Sequence, residues 1–425
     1  MPADLTTSVT APAGGAGRPT EMPAGPGWER VIALDVLRGM AILGTLATNI
    51  GFLVASDRDA AIAESVNEVA TFCVSLITNG YWIGLLTVMF GIGLIIQRQS
   101  AVRRGEPWLR SYPWRAVVLI VEGFLNYLFV VPFDVLMGYG LTALVICVVV
   151  MAPRRVQTAV LVLGTLAHLA HLWYLARPAV AAAAGFGGGK PSSEPVAGAE
   201  DGGAVMSVGE GPDVPGYWDT VRTNYQIFWD GGRAEIPIMV VMGLGVFLIG
   251  ARLWEAGLFR PDGARLRRRL MWVGFGIGLP VDWGLRTITF IDPENPVNLW
   301  SATFVRYGTA LVVMFGVMAL VAHFYVGRDR TGPIGSMVAT VGRTALTCYL
   351  LQNIIGLVLF MPYGLDLDAR MPFSLGVFDL VIAFLLISLI LVAGATLWLR
   401  RFERGPMEMV SHAAHAWLVR TTVRG

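Results

Sequence analysis

The chain has 425 residues, 55% of them hydrophobic and only 15% charged, with a formal net charge of +2. A soluble chain of this length carries about 25% charged residues, so much of the surface must face lipid, and the small net charge excludes an overall basic footprint for nucleic acid. The three cysteines, Cys73, Cys147 and Cys348, lack CxxC spacing, which excludes a zinc knuckle, a thioredoxin-like motif and a disulfide framework.

Residues 1–28 are rich in Pro, Gly, Ala and Thr, with neither an apolar core nor a basic start. They read as a disordered cytoplasmic tail rather than a cleaved leader. A bilayer core of about 30 Å needs roughly 20 mostly apolar residues per helix. Segments of that kind run at Ile32–Val54, Gly80–Gln97, Trp114–Val131, Val135–Met151 and Val156–Leu175 in the first half. In the second half they run at Ile236–Trp254, Leu270–Ile291, Phe304–Tyr325, Ile334–Phe360 and Gly376–Leu399. The expected fold is all-α, a polytopic transmembrane bundle of about ten spans. Residues 29–175 hold spans 1–5, 176–235 form an extracytoplasmic loop, 236–400 hold spans 6–10, and 401–425 form a cytoplasmic tail. A polar stretch, Ala61–Asn79, lies at the interface before the second span. The aromatic run from Tyr217 to Trp229 predicts an interfacial helix.

Loop charge sets the orientation, because Lys and Arg accumulate on the cytoplasmic side. Arginines cluster after the second span (Arg98, Arg103, Arg104, Arg110), the fourth (Arg154, Arg155) and the sixth (Arg260, Arg265, Arg267, Arg268, Arg269). They recur after the eighth (Arg328, Arg330) and in the tail (Arg400, Arg401, Arg404). The intervening loops are short or acidic. The alternation puts both termini on the cytoplasmic side.

An ionisable side chain at mid-bilayer costs on the order of 2.5–3.5 kcal/mol, so it usually has a task or a partner. Asp35 and Arg38 share a face at the inner start of the first span, as an interfacial ion pair or as a ligand site. Glu122 lies mid-depth in the third span, with Asn126 one turn later. Asp282 and Arg286 have the spacing of a helical ion pair, which serves as bundle glue or as a site. Asn49, Asp134, Arg306 and Asn353 fall in the outer half. No histidine has a partner at metal-ligand spacing, so no metal site is expected. His168 and His171 read as polar anchors at the interface. Gly274-Phe-Gly-Ile-Gly278 sits inside a span and reads as helix packing or a kink.

Several ordered motifs carry a resemblance. Arg30-Val-Ile-Ala-Leu-Asp35-Val-Leu-Arg38-Gly39, ending in Thr48-Asn49-Ile50, is similar to the start of YeiB-like bacterial membrane proteins, domain-of-unknown-function family 418. Val341-Gly-Arg343-Thr-Ala-Leu-Thr347-Cys-Tyr349-Leu-Leu-Gln352 and Arg404-Gly405-Pro406-Met-Glu408 resemble that family's C-terminal motifs. At its first span the family is in turn similar to transmembrane acyltransferases such as heparan-α-glucosaminide N-acetyltransferase.

That resemblance implies acyl transfer from a cytoplasmic acyl-CoA, a co-substrate rather than a tightly bound cofactor, to a small-molecule or glycan acceptor. Asp35, Arg38 and Arg343 would hold the donor; Asn49, Arg286, Arg306 and Gln352 would hold the acceptor. Where relatives carry a histidine in Gly-x-x-His, this chain reads Gly123-Phe-Leu-Asn126, and asparagine cannot act as a general base. Asp282 and Asp134, placed with Asn126, or else Glu122, would take over the chemistry. A small-molecule transporter lined by Asp282, Arg286 and Glu122 is the first alternative, and a non-catalytic membrane scaffold the second.

Overall fold

The computed structural model describes residues 31–54, 61–183, 216–230, 235–292, 303–328, 331–371 and 373–423. The tail expected at 1–28 and most of the long loop lie outside these residues. Among the described residues the fold is all-helical. In chain order the helices are α1 (Ile32–Asn49), α2 (Glu64–Ser75), α3 (Tyr81–Arg103), α4 (Trp108–Phe129), α5 (Leu136–Val149) and α6 (Arg154–Ala183). There follow α7 (Tyr217–Trp229), α8 (Glu235–Glu255) and a helix that runs from Ala264 to Ile291 in three parts. Its parts are α9 (Ala264–Met271), a π-helical segment Trp272–Gly278 and α10 (Leu279–Ile291). A second π-helical segment, Val305–Thr309, leads into α11 (Ala310–Tyr325). The remainder are α12 (Gly332–Arg343), α13 (Ala345–Phe360), the short α14 (Leu367–Arg370), α15 (Val377–Leu399) and α16 (Pro406–Val423).

Among the described residues six helices are long and apolar enough to cross a membrane, or seven when α12 and α13 count as one bent span. Their apolar side chains are not all used in packing. Leu389 on α15 is 67% exposed and Leu163 on α6 is 64% exposed, with Leu385, Leu397 and Leu166 beside them. A monomeric soluble protein rarely shows bands of this kind; lipid is the solvent that accepts them. The central helix is α1, whose small residues allow close approach. A Cβ on Gly342 of α12 would collide with the Asp35 carbonyl, and one on Gly39 would collide with the Val338 carbonyl.

The connections sort to two ends of the bundle. At one end Arg154 pairs with Glu255 at 2.7 Å, Trp254 donates to Gln99 at 3.3 Å, Trp108 donates to the Cys147 carbonyl and His415 meets the Ser111 carbonyl. At the other end the Ala61 amide donates to the Ser374 carbonyl at 2.8 Å, and the Val377 amide donates to Asn67. There too the Tyr217 hydroxyl donates to the Phe129 carbonyl. The basic loops thus share one end and the acidic or neutral loops the other. The aromatic run at Tyr217–Trp229 is the helix its pattern predicts, seated on the end of α4 through Asn224 and through Phe228 against Phe124.

One expectation changes and one is met. The apolar run Ile334–Phe360 is not one straight span, because α12 and α13 meet at an angle of 88°. Thr344 leaves the helical region at the break (φ −118°, ψ 39°), and the amides freed at the start of α13 find the Glu408 carboxylate. The glycine-rich run Gly274–Gly278 lies in the π-helical segment, with Gly274 packed on the backbone of Gly316. Close packing and a locally widened helix therefore coincide there.

Candidate functional site

A cavity of about 490 Å³ enters the bundle at the end carrying the basic loops. Helix α16 folds back across α4 there, with His415 on the Ser111 carbonyl and Ser411 lining the cavity together with Glu122. Near this mouth the cavity is lined by Arg38, Arg115, Arg343, Arg404 and His412. Its inner walls are apolar, with Leu86, Met89, Phe90, Leu119 and Ala143, and it reaches Leu136 and Tyr349. Four arginines against the two carboxylates of its lining, Glu122 and Glu408, leave a net +2 with His412 neutral. An anion with an apolar extension suits such a shape: guanidinium groups bind phosphate through charge-assisted, often bidentate bonds.

The N-terminal end of α13 also opens on the cavity, through Ala345 and Leu346. Glu408 occupies that end, accepting from the amides of Leu346 (2.7 Å) and Thr347 (3.3 Å) and from the Thr347 hydroxyl (2.5 Å). The carboxylate matches both the freed amides and the positive end of the helix dipole. Glu122 on α4 faces the cavity, and its Oε2 has no hydrogen-bond partner.

Asp134 lies just beyond the inner wall and is buried. Its carboxylate accepts from Asn126 (3.0 Å), from the Tyr349 hydroxyl (3.3 Å) and from the amides of Leu136 (2.8 Å) and Met137 (3.2 Å). It therefore acts as a cap on the start of α5. One turn beyond Tyr349, Gln352 is fully buried, and neither polar atom of its amide is satisfied; the same holds for the buried Asn353. Unpaired buried amides of this kind cost about 1–3 kcal/mol each.

A second buried carboxylate, Asp282 on α10, is 0% exposed. It accepts from the Tyr81 hydroxyl, from Asn79 (3.2 Å) and from Thr309 (2.5 Å). Arg286 stands 3.6 Å away. Both π-helical segments border this cluster, one just before α10 and the other carrying Thr309. Such segments recur at functional sites.

Residues 233–417 match the family model described as "Protein of unknown function (DUF418)". "Uncharacterized protein YeiB" of Escherichia coli (strain K12) is 28% identical over 405 residues, spanning 89% of this chain and 94% of the relative. "Uncharacterized protein YxaH" of Bacillus subtilis (strain 168) is 25% identical, spanning 91% of this chain and 94% of the relative. The chain thus carries a DUF418 region over residues 233–417 and is similar to YeiB and YxaH over about nine-tenths of its length. A third relative, an "Uncharacterized 39.9 kDa protein in amylase 3'region" of Bacillus acidopullulyticus, is 30% identical over 125 residues, 29% of this chain and 34% of that protein.

All but one of the site residues singled out from sequence fall into three places. Arg38 and Arg343 line the cavity, and Asp35 sits behind Arg38 with a 3.8 Å ion contact. Asn126 and Asp134 are bonded to each other under the inner wall, with Gln352 on the adjoining helix. Asp282 and Arg286 form the separate cluster, with Arg306 one turn before Thr309. Asn49 is half-buried at the end of α1 and caps nothing with its side chain.

Sequence reasoning missed Arg115, Ser411 and His412 as cavity residues, and Tyr81, Asn79 and Thr309 as partners of Asp282. The one signal for the tail was the motif Arg404–Glu408, in which Pro406 opens a helix. His168 is no interface anchor: it is buried, with Nε2 2.8 Å from the Tyr307 carbonyl in the second π-helical segment.

Proposed function

We propose that this protein is a membrane-embedded acyltransferase that moves an acyl group from a cytoplasmic acyl-CoA to a hydroxyl or amine of a sugar, lipid or secondary metabolite. The observation that carries the reading is the cavity, cationic at its mouth and apolar within. Arg38, Arg115, Arg343 and Arg404 would hold the CoA phosphates, and the acyl-bearing arm would lie along Leu86, Phe90 and Leu119. Glu122 is the carboxylate best placed as general base, since Asp134 is engaged by four donors while Glu122 keeps a free oxygen. It would take the acceptor's proton as the acceptor oxygen or nitrogen attacks the thioester carbonyl. The carbon–sulfur bond then breaks, and the CoA thiolate leaves and is protonated.

The same reading sets ten crossings in a bacterial cell membrane, with both termini in the cytoplasm and Asn49, Gln352 and Arg306 toward the acceptor. Binding of labelled acetyl-CoA to the full chain in nanodiscs tests it. Wild type should bind and transfer, and Arg38→Gln with Arg343→Gln should weaken binding at least tenfold. No binding of acetyl-CoA or longer acyl-CoA at any concentration sinks the reading.

A transporter is the second reading, favoured by the fully buried Asp282 cluster, because a buried ionisable group within a membrane is by default a functional-site hypothesis. It predicts altered uptake or efflux with Asp282→Asn while acyl-CoA binding is unchanged.

A further inference from the structure

A second recess of about 280 Å³ lies at the same end of the bundle, between the end of α3, the start of α6 and the end of α8. Arg98, Arg154 and Arg252 reach it from three different helices, with one carboxylate, Glu255, among them. Their bonds leave donor capacity unused. Arg154 takes Glu255 at 2.7 Å. Arg252 gives one nitrogen to the Thr158 hydroxyl at 2.7 Å, while its buried Nε has no partner. Arg98 has its Nε on the Met151 sulfur at 3.4 Å, and a thioether is a weak acceptor.

Three guanidinium groups against one carboxylate give this recess a net +2. Guanidinium forks match phosphate oxygens bidentately. The walls turn apolar at once on the outer side, where Val148, Met151, Val156 and Val162 are exposed. A phosphate seated among the arginines could therefore carry acyl chains that lie along α5 and α6.

We propose that this recess is a phosphate site whose occupant is the headgroup of an anionic phospholipid. The arginine triad binds the phosphate, and the exposed aliphatic strip takes the start of the chains. Basic pockets between membrane helices bind anionic headgroups by the same physics. The site shares no residue with the cavity above and does not depend on acyl transfer.

The test is native mass spectrometry of the full chain released from vesicles of phosphatidylcholine with phosphatidylglycerol. Wild type should retain phosphatidylglycerol in preference to phosphatidylcholine. Arg98→Gln with Arg252→Gln should lower that retention about tenfold. Arg98→Lys with Arg252→Lys, which keeps the charges but loses the forks, should fall between. Arg260→Gln, an exposed arginine at the same end, should behave as wild type. Thermal unfolding of each variant in detergent separates loss of the site from loss of the fold. Equal retention by wild type and a folded double variant overturns the proposal. Occupation by inorganic phosphate alone, with no preference for the anionic lipid, overturns it as well.

Discussion

Removing Asp282 and removing Arg286 should have unequal costs, and the inequality follows from geometry. Asp282 is fully buried and takes the Tyr81 hydroxyl, Asn79 and Thr309 besides Arg286. Arg286 keeps 18% of its side-chain surface. Asp282→Ala strands the buried guanidinium and deprives three donors of their acceptor, so about 3–5 kcal/mol should be lost. Arg286→Met leaves the carboxylate with three donors in place, and about 1–3 kcal/mol is expected. The neutral pair Asp282→Ala with Arg286→Met should cost less than the two single losses together, giving a coupling of at least about 1 kcal/mol in a double-mutant cycle. The measurement is equilibrium unfolding in mixed detergent micelles, followed by tryptophan fluorescence. Equal costs for the two single variants, or Asp282→Ala within about 0.5 kcal/mol of wild type, would show that the four contacts do not act as one buried network. If the neutral pair is stable but flux or acyl transfer is lost, the cluster is a working site; if both survive, it is glue.

Three further outcomes are expected. Gly342→Ala should destabilise by about 1–3 kcal/mol, because the new methyl meets the Asp35 carbonyl in a packed helix contact; an unchanged Tm in detergent would contradict the close approach of α1 and α12. Glu408→Ala should cost about 1–2 kcal/mol by uncapping α13, and protease should then cut within α16 sooner than in wild type. Partial desolvation at the cavity mouth, helped by Arg404, His415 and Arg115, holds the imidazole of the largely exposed His412 below its ordinary value. Its unfolded form binds a proton more readily, so its contribution to stability is full above the unfolded value of about 6.5 and is lost as the pH falls toward the lower folded value. Wild type should therefore lose more stability than His412→Gln between pH 7 and pH 5, and equal slopes in thermal melts would refute the assignment.

The membrane character was legible because lipid imposes long apolar runs and charge bias imposes alternation, and neither depends on distant contacts. The Asp282–Arg286 pair was legible for the same local reason, since a spacing of four puts both on one helix face. Their partners were not, because Tyr81 and Thr309 come from other helical segments and Asn79 from the turn before α3, and none has a spacing that ties it to Asp282. The break at Thr344 was invisible too. Gly342, Arg343 and Thr344 are tolerated inside helices, and the residue that makes the break affordable, Glu408, lies more than sixty positions later.

That distant capping explains why two motifs that resemble the family's C-terminal pattern belong together. Val341–Gln352 contains the bend and the start of α13, and Arg404–Glu408 contains the carboxylate that satisfies it. Trp398 fixes the approach by donating its indole N–H to the Arg404 carbonyl at 2.8 Å. The Met407 amide then donates to the Thr347 hydroxyl at 3.0 Å. Without the tail, α13 would begin with open amides on an apolar cavity wall, an arrangement that low-dielectric surroundings penalise. With it, the same fold-back brings Arg404 and His412 to the mouth beside Arg38 and Arg343. A charged segment that reads as a cytoplasmic tail thus closes one side of the cavity, adding Arg404 and His412 to its lining while Glu408 caps α13.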